Sequence, residues 1–255
     1  PLEVIDEWGA DALRQSLVML AAKDVYLSRE KFEVGRNFTN KIWNAARFVF
    51  MNLEGFHEGR LDPPPYKGVE RMNAWILLSL RKVTEELEKD LSAFNISQAA
   101  TEIYHFIWGD FCDWYIELAK SKLAGEAKKE TQDVLFHVLE RAMRLLHPFM
   151  PFISEEIWQR LRTLAVDKEN SPPALILAKW PPKEEYDLNP EVEYEFALFQ
   201  NAVSAIRNLR SNLNIPPGQT LKRAVVRCTN ARASEALRSF EKEISKLGRL
   251  ETVEF

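Results

Sequence analysis

The sequence predicts a mainly α-helical protein, a helical bundle followed by a small α/β subdomain. Long segments carry apolar residues at three- and four-residue spacing, the periodicity of an amphipathic helix. Proline- and glycine-bearing loops separate these segments. Near the C-terminal end the pattern changes: two short Val-bearing runs bracket one more helical stretch, a β-α-β order. Of 255 residues, 46% are hydrophobic and 28% charged. That is ordinary globular composition and argues against disorder.

The first amphipathic helix is expected over Asp11–Ala22, followed by a brief extended piece at Asp24–Leu27. Ser28 reads as the N-cap of a long helix reaching Leu53, with Phe38, Ile42, Ala45 and Val49 facing a core. Gly55, Gly59 and Pro63–Pro65 form a loop. A second long helix covers Val69–Asp90, with Ile76, Leu80, Val83, Leu87 and Leu91 as one apolar stripe. Asn95 and Gln98 have the spacing of a capping box and open a third helix, striped by Ala100, Ile103, Ile107, Phe111, Trp114 and Leu118. A fourth spans Lys128–Leu146, with Leu135, Val138, Ala142 and Leu145 inward, and stops at His147-Pro-Phe-Met-Pro. Ser154 is expected to cap a shorter helix to Leu164. After the proline-rich stretch Asp167–Pro190 come a helix over Val192–Leu213 and a turn at Pro216–Gly218. Then follow a strand at Ala224–Cys228, a helix over Ala231–Leu247 and a strand at Glu251–Phe255, with no further strand after it. The expected organisation is therefore residues 1–27, 28–190 and 191–255.

The net charge of −4 argues against non-specific coating of nucleic acid, but the charge is unevenly spread. Lys183–Glu195 holds one basic and six acidic residues, and Asn201–Arg238 holds seven basic and one acidic. Ser28–Asn52 holds five basic and two acidic. The two basic stretches suit localised contact with a polyanion, or else solvated helix faces.

Motifs for chemistry are scarce. The sequence has no Gly-rich phosphate loop. His57, His105, His137 and His147 lack Cys or carboxylate neighbours at ligand spacing, so no metal is expected. Cys112 reads as a core thiol, and two cysteines fit a reducing compartment. Glu155 and Glu156 point about 100° apart on a helix and cannot flank one substrate. No apolar run reaches the length of a membrane span. No signal peptide opens the chain, so a cytoplasmic location is expected.

Several segments together resemble the class I aminoacyl-tRNA synthetases for branched aliphatic amino acids. Gly9–Arg14 and Arg36–Phe48 are similar to the region after the second ATP-site signature loop of that family. Phe111–Lys120 and Leu145–Trp158 resemble its helical anticodon-binding domain, and Lys179–Pro182 fits the segment that follows. Ile206–Arg210 with Asn214–Pro217 is most similar to the valyl branch, ahead of the isoleucyl and leucyl ones. Gln15 departs from the pattern, standing where the family carries an aromatic.

The resemblance implies an excised C-terminal part of a valine-specific ligase. The catalytic domain, with its ATP and magnesium, would lie upstream and a coiled coil downstream, leaving this part inactive alone and without a cofactor of its own. The partner it implies is tRNA, gripped at the anticodon arm and inner corner by a monomeric chain. The helix from Ser28 then places Asn40, Asn44, Arg47 and Met51 on one stripe, with Lys41 and Phe48 beside it. Phe48 is expected to stack on a base, Asn40 and Asn44 to meet base edges, and Arg29, Arg36, Lys41 and Arg47 to neutralise phosphates. Arg14 is a candidate phosphate contact at the inner corner, or a packing residue. Arg207 and Arg210, three apart and so on one face, are further candidates for the RNA backbone, or partners of the acidic 183–195 segment. A helical scaffold that binds protein is the reading from a different class. It predicts an exposed apolar groove instead.

Overall fold

The structure, a computed structural model, describes residues 1–20, 29–56, 58–61, 66–183, 186–228 and 230–255. The expected extended piece Asp24–Leu27, the Ser28 cap, His57 and the Pro63–Pro65 loop lie outside the described residues. The chain forms two compact units, Pro1–Leu188 and Asn189–Phe255.

The first unit is a helical bundle. Its helices are α1 (Leu2–Trp8), α2 (Ala10–Leu20), α3 (Arg29–Asn52), α4 (Arg71–Ser92), α5 (Ile96–His105), α6 (Ile116–Lys122), α7 (Lys128–Leu146) and α8 (Pro151–Leu164). At its centre is α7, which packs against α3, α4, α5, α6 and α8. Every residue from Val134 to Leu146 is buried, so the helix has no solvent face there. Burying charges at such a position requires partners. Glu140 supplies them: its carboxylate accepts from Arg144 Nε at 2.6 Å, Arg141 NH1 at 3.1 Å and the indole N–H of Trp158 at 3.0 Å. Arg141 also donates to Leu61 O at 3.0 Å and Arg144 to Lys179 O at 3.3 Å, which ties two loops to the central helix.

The core stripes of α3, α4 and α7 fall where periodicity places them, with Phe38, Ile42, Val49, Ile76, Leu80, Leu87, Leu135 and Leu145 buried. One helix lies outside the expectations, and three local expectations fail. The helix α1 was not anticipated. It has no buried residue and is separated from α2 by Gly9, whose φ of 93° suits glycine. Asn95 starts α5 but makes no capping bond; its amide turns back to Asp90 Oδ1 at 3.3 Å, and Gln98 bonds Glu102. Ser154 lies inside α8, which opens at Pro151, and its hydroxyl bonds Met150 O and His147 Nδ1. Trp114 is only half-buried while Tyr115 is fully buried. Between α5 and α6 the helix continues as a ten-residue π-helix, Phe106–Tyr115. Its wider turn moves the apolar stripe on by one residue.

The second unit consists of α9 (Glu191–Asn212), β1 (Leu221–Val225), α10 (Ala231–Arg238), α11 (Glu241–Gly248) and β2 (Leu250–Glu254). The strands pair in parallel, Leu221 opposite Leu250 and Val225 opposite Glu254. Relative to expectation, β1 starts three residues earlier, and the single helix is split at Ser239–Phe240. The split lets Phe240 turn into the core against Phe196 and Phe199, with ring centroids 6.1 and 4.9 Å away. Asn230 caps α10 by accepting from Ala233 N at 2.8 Å.

Candidate nucleic-acid interface

Helix α3 has two contrasting sides. One is buried through Phe32, Phe38, Ile42, Ala46 and Val49. The other carries Asn40, Asn44, Arg47 and Met51, all exposed, Met51 at 73%. Among the described residues the side chains of Asn40, Asn44 and Arg47 have no hydrogen-bond or ion-pair partner. Two amides and one guanidinium therefore stand with all donors and acceptors open to solvent.

Cation–aromatic pairs frame this stripe. Trp43, half-exposed, lies under Arg160 with the guanidinium carbon 4.8 Å from the ring centroid. Arg160 is held in turn by Glu156 at 2.6 Å. Lys41 sits 4.2 Å above Trp108 and pairs with Asp113, so it is committed within the bundle. Trp108 stacks on Tyr104 at 5.6 Å, and Tyr104 meets Phe38 at 4.7 Å. Phe48 is half-buried, with Lys120 Nζ 5.9 Å from its ring. At the helix start, Arg36 lies 4.4 Å over Trp8 and 4.0 Å from Glu33, and Arg29 is 3.9 Å from Glu7. Arg29 and Arg36 thus fasten α3 to its neighbours, though both keep solvent access.

Of the ten residues singled out, the structure places Asn40, Lys41, Asn44, Arg47 and Phe48 on one side of α3, with Arg29 and Arg36 at its start. Trp43 was missed, although it stands three residues after Asn40 and four before Arg47, on the same stripe. Trp8, Trp108, Lys120 and Arg160 come from other helices and carry no local signal.

Arg14 lies elsewhere, at the corner between α7 and α8. Its guanidinium donates to Pro148 O at 3.0 Å and Phe149 O at 3.2 Å. A cation on carbonyls just past a helix end complements the negative pole of that helix. Arg14 thus packs against this corner through carbonyls, with no ion pair among the described residues. Arg207 is exposed on α9, while Arg210, three residues on, is 7% exposed. The expectation of Arg210 at an RNA-facing surface is corrected: its terminal nitrogens donate to four carbonyls, those of Pro216, Gln219, Gly248 and Arg249. The loop after α9 folds back over it, which spacing on α9 alone cannot reveal. Part of the acidic 183–195 segment does meet a basic residue, since Glu191 pairs with Arg232.

Burial pushes the Cys112 thiol up to about 12, so it is protonated at neutral pH. Burial also lowers His147 from its ordinary value. Among the described residues no group of three His, Cys, Asp or Glu is placed to hold a metal. No described helix is long and apolar enough to cross a membrane.

The family described as the anticodon-binding domain of tRNA ligase matches residues 73–226, from α4 to just past β1. Valine–tRNA ligase of Thermotoga maritima is 40% identical over 257 residues, covering 100% of this chain and 28% of that protein. Valine–tRNA ligase of Petrotoga mobilis is 43% identical over 223 residues, covering 86% of this chain and 25% of the protein. The chain thus spans about a quarter of the length of these curated relatives. Among solved structures, the agnB2 LeuRS of Agrobacterium radiobacter K84, in a ternary complex with tRNA and LeuAMS, shares the fold. Its TM-score is 0.53 at 19% identity, covering 76% of this chain and 21% of that one.

Proposed function

The chain belongs to the anticodon-binding domain family of tRNA ligases, and from that premise we propose that it grips the anticodon arm of a tRNA within a valine–tRNA ligase. The observation that carries the reading is the α3 stripe, whose amides and guanidinium are open to solvent between two half-exposed aromatics. RNA loops are recognised by stacking splayed bases on aromatic planes and bonding their edges. Asn40 and Asn44 supply edge donors and acceptors, Trp43 and Phe48 supply planes, and Arg47 supplies charge for the backbone. Arg29, Arg36 and Lys41 are tied to protein partners but keep exposed edges, and they form the rim.

The chain contributes positioning. ATP-dependent activation of valine, with its magnesium, belongs to the remainder of the enzyme, and residues 1–27 link to it. Residues 28–190 form the gripping bundle and 191–255 a linking subdomain that would meet a coiled coil. The enzyme acts as a cytoplasmic monomer, and this part alone has no aminoacylation activity.

The test is binding of the 255-residue chain to a transcript of a tRNA with a valine anticodon, beside the same transcript with swapped anticodon bases, over a salt series. Tighter binding to the valine anticodon that weakens with salt supports the reading. Equal binding to both removes the anticodon assignment. Affinity unchanged by salt would favour the protein-binding scaffold.

A further inference from the structure

The second unit contains a cavity that the α3 surface does not use. It has a volume of about 540 Å³, a size suited to a small ligand or one unit of a polymer. Arg207, Arg210 and Arg249 line it, together with Ser211, Asn214 and the apolar Ile215, Pro216, Pro217 and Leu247. Among the described residues no carboxylate lines the cavity. A concave site lined by three arginines favours an anion.

Arg210 makes the preference stronger. It is 93% buried, being 7% exposed, and among the described residues no carboxylate pairs with it. Carbonyl oxygens meet its charge in place of a carboxylate, so the cavity floor keeps a positive potential. Its four bonds use only the terminal nitrogens, so Nε–H takes none of them. Two of the accepting carbonyls, those of Gly248 and Arg249, lie at the C-terminal end of α11. Arg210 therefore neutralises the negative helix end that would otherwise repel an anion there. Arg207 and Arg249 stand exposed at the rim. Arg249 adopts the left-handed conformation, φ 53°, that ends α11. Among the described residues the Ser211 hydroxyl and Asn214 amide make no hydrogen bond, which leaves neutral donors beside the charges.

We propose that this cavity is a second RNA contact, taking a phosphodiester group of the tRNA backbone between Arg207 and Arg249 over the floor set by Arg210. The occupant follows from the chemistry. Guanidinium groups match phosphate oxygens bidentately, and the Pro216, Pro217 and Leu247 walls accept a sugar. The identification of the RNA as tRNA rests on the reading above. Contact with the backbone carries no sequence information, so this site adds affinity equally for any anticodon.

The experiment uses the whole 255-residue chain. Binding to the labelled valine-anticodon transcript and its anticodon-swapped form is measured over a KCl series for wild type, Arg207→Gln, Arg249→Gln and the control Lys242→Gln. Lys242 is an exposed cation of α11 that does not line the cavity. Each rim variant is expected to weaken both transcripts equally and to lower the slope of log affinity against log salt by about 1, the signature of one lost phosphate contact. The control should keep the wild-type slope. Rim variants with wild-type slopes and circular dichroism overturn the proposal, and an acidic polypeptide becomes the occupant to test. If Arg47→Gln still weakens binding in that case, the anticodon-arm reading stands while this one falls. Absence of any RNA binding by wild type at low salt sinks both.

Discussion

The carboxylate of Asp11 accepts the backbone N–H of Ile153 at 2.7 Å, across 142 positions of sequence, and that of Phe152 at 3.3 Å. It caps the N-terminus of α8 from another helix, a task usually done by the residue just before the helix. Three residues on, Arg14 holds the carbonyls at the other side of the same corner. One turn of α2 thus meets each of the two helix ends with a charge opposite to that end's pole. Asp11→Ala is expected to cost about 1–2 kcal/mol of unfolding free energy, the usual loss on deleting a cap, and Asp11→Asn clearly less. Urea denaturation would check this, and equal losses for Ala and Asn would contradict the capping role.

Close approach of backbones fixes the α2–α3 crossing. Gly35 sits mid-helix in α3, and a Cβ there would lie 2.5 Å from Ala12 O and 2.9 Å from Ala12 Cα. Replacing a helical glycine by alanine in open space gains about 1 kcal/mol. Here the obstacle is backbone, which cannot rotate away. Gly35→Ala should instead destabilise by about 1–3 kcal/mol, as over-packing does. A raised urea midpoint for this variant would show that the helices can separate freely.

The neighbouring Gln15 carries the opposite opportunity. It is 1% exposed, and among the described residues neither its amide nitrogen nor its oxygen has a partner. A buried unpaired polar group costs about 1–3 kcal/mol. Gln15→Met or Gln15→Leu, of similar volume, is expected to stabilise by that order, shifting the urea midpoint upward at constant m-value. Loss of stability in both variants would mean that the amide is satisfied in solution.

These residues show what was legible in the sequence and what was not. The two faces of α3 were readable because helical periodicity is local: Phe38, Ile42 and Val49 turn one way and Asn40, Asn44 and Arg47 the other. Trp43 was readable by the same rule. The tasks of Asp11, Arg14 and Arg210 were not, because their partners are carbonyls and N–H groups that spacing does not encode. The Asn95–Gln98 box was a correct local pattern that lost to other partners, Asp90 and Glu102. The shift from Trp114 to Tyr115 came from a π-helix, which apolar spacing at 3.6 residues per turn does not anticipate.

That π-helix also carries a group expected to titrate near neutrality. Burial pushes the Asp110 carboxyl up from 3.8 to about 6, with Lys82 pulling it partly back. A raised folded-state value means that the folded protein binds the proton more tightly than the unfolded chain. The contribution to stability is therefore present below about pH 4 and lost as pH rises through about 6. Asp110→Asn should remove this dependence and stabilise the protein at pH 7.5 by about 1–3 kcal/mol relative to wild type, with little gain at pH 4. Denaturation curves at both pH values decide it, and an equal effect at the two would exclude titration of Asp110 as the cause.

The α3 surface makes the sharpest functional prediction, because its residues act through separable physics. Arg47→Gln removes an unpaired exposed charge, so it should weaken RNA binding and lower the salt slope by about 1. Trp43→Ala removes a stacking plane without changing charge. It should cost about 1–3 kcal/mol of binding free energy while leaving the slope unchanged. Asn44→Ala should act through base edges alone, narrowing the difference between the valine anticodon and a swapped one with no change in slope. Trp43 also lies under Arg160, so part of its loss could be structural. Arg160→Gln separates the two, since it removes the cation and leaves the plane. If Trp43→Ala weakens binding and Arg160→Gln does not, the ring itself meets the RNA. If both weaken it equally and both lower the slope, the contact is the guanidinium of Arg160 and the stacking role of Trp43 falls.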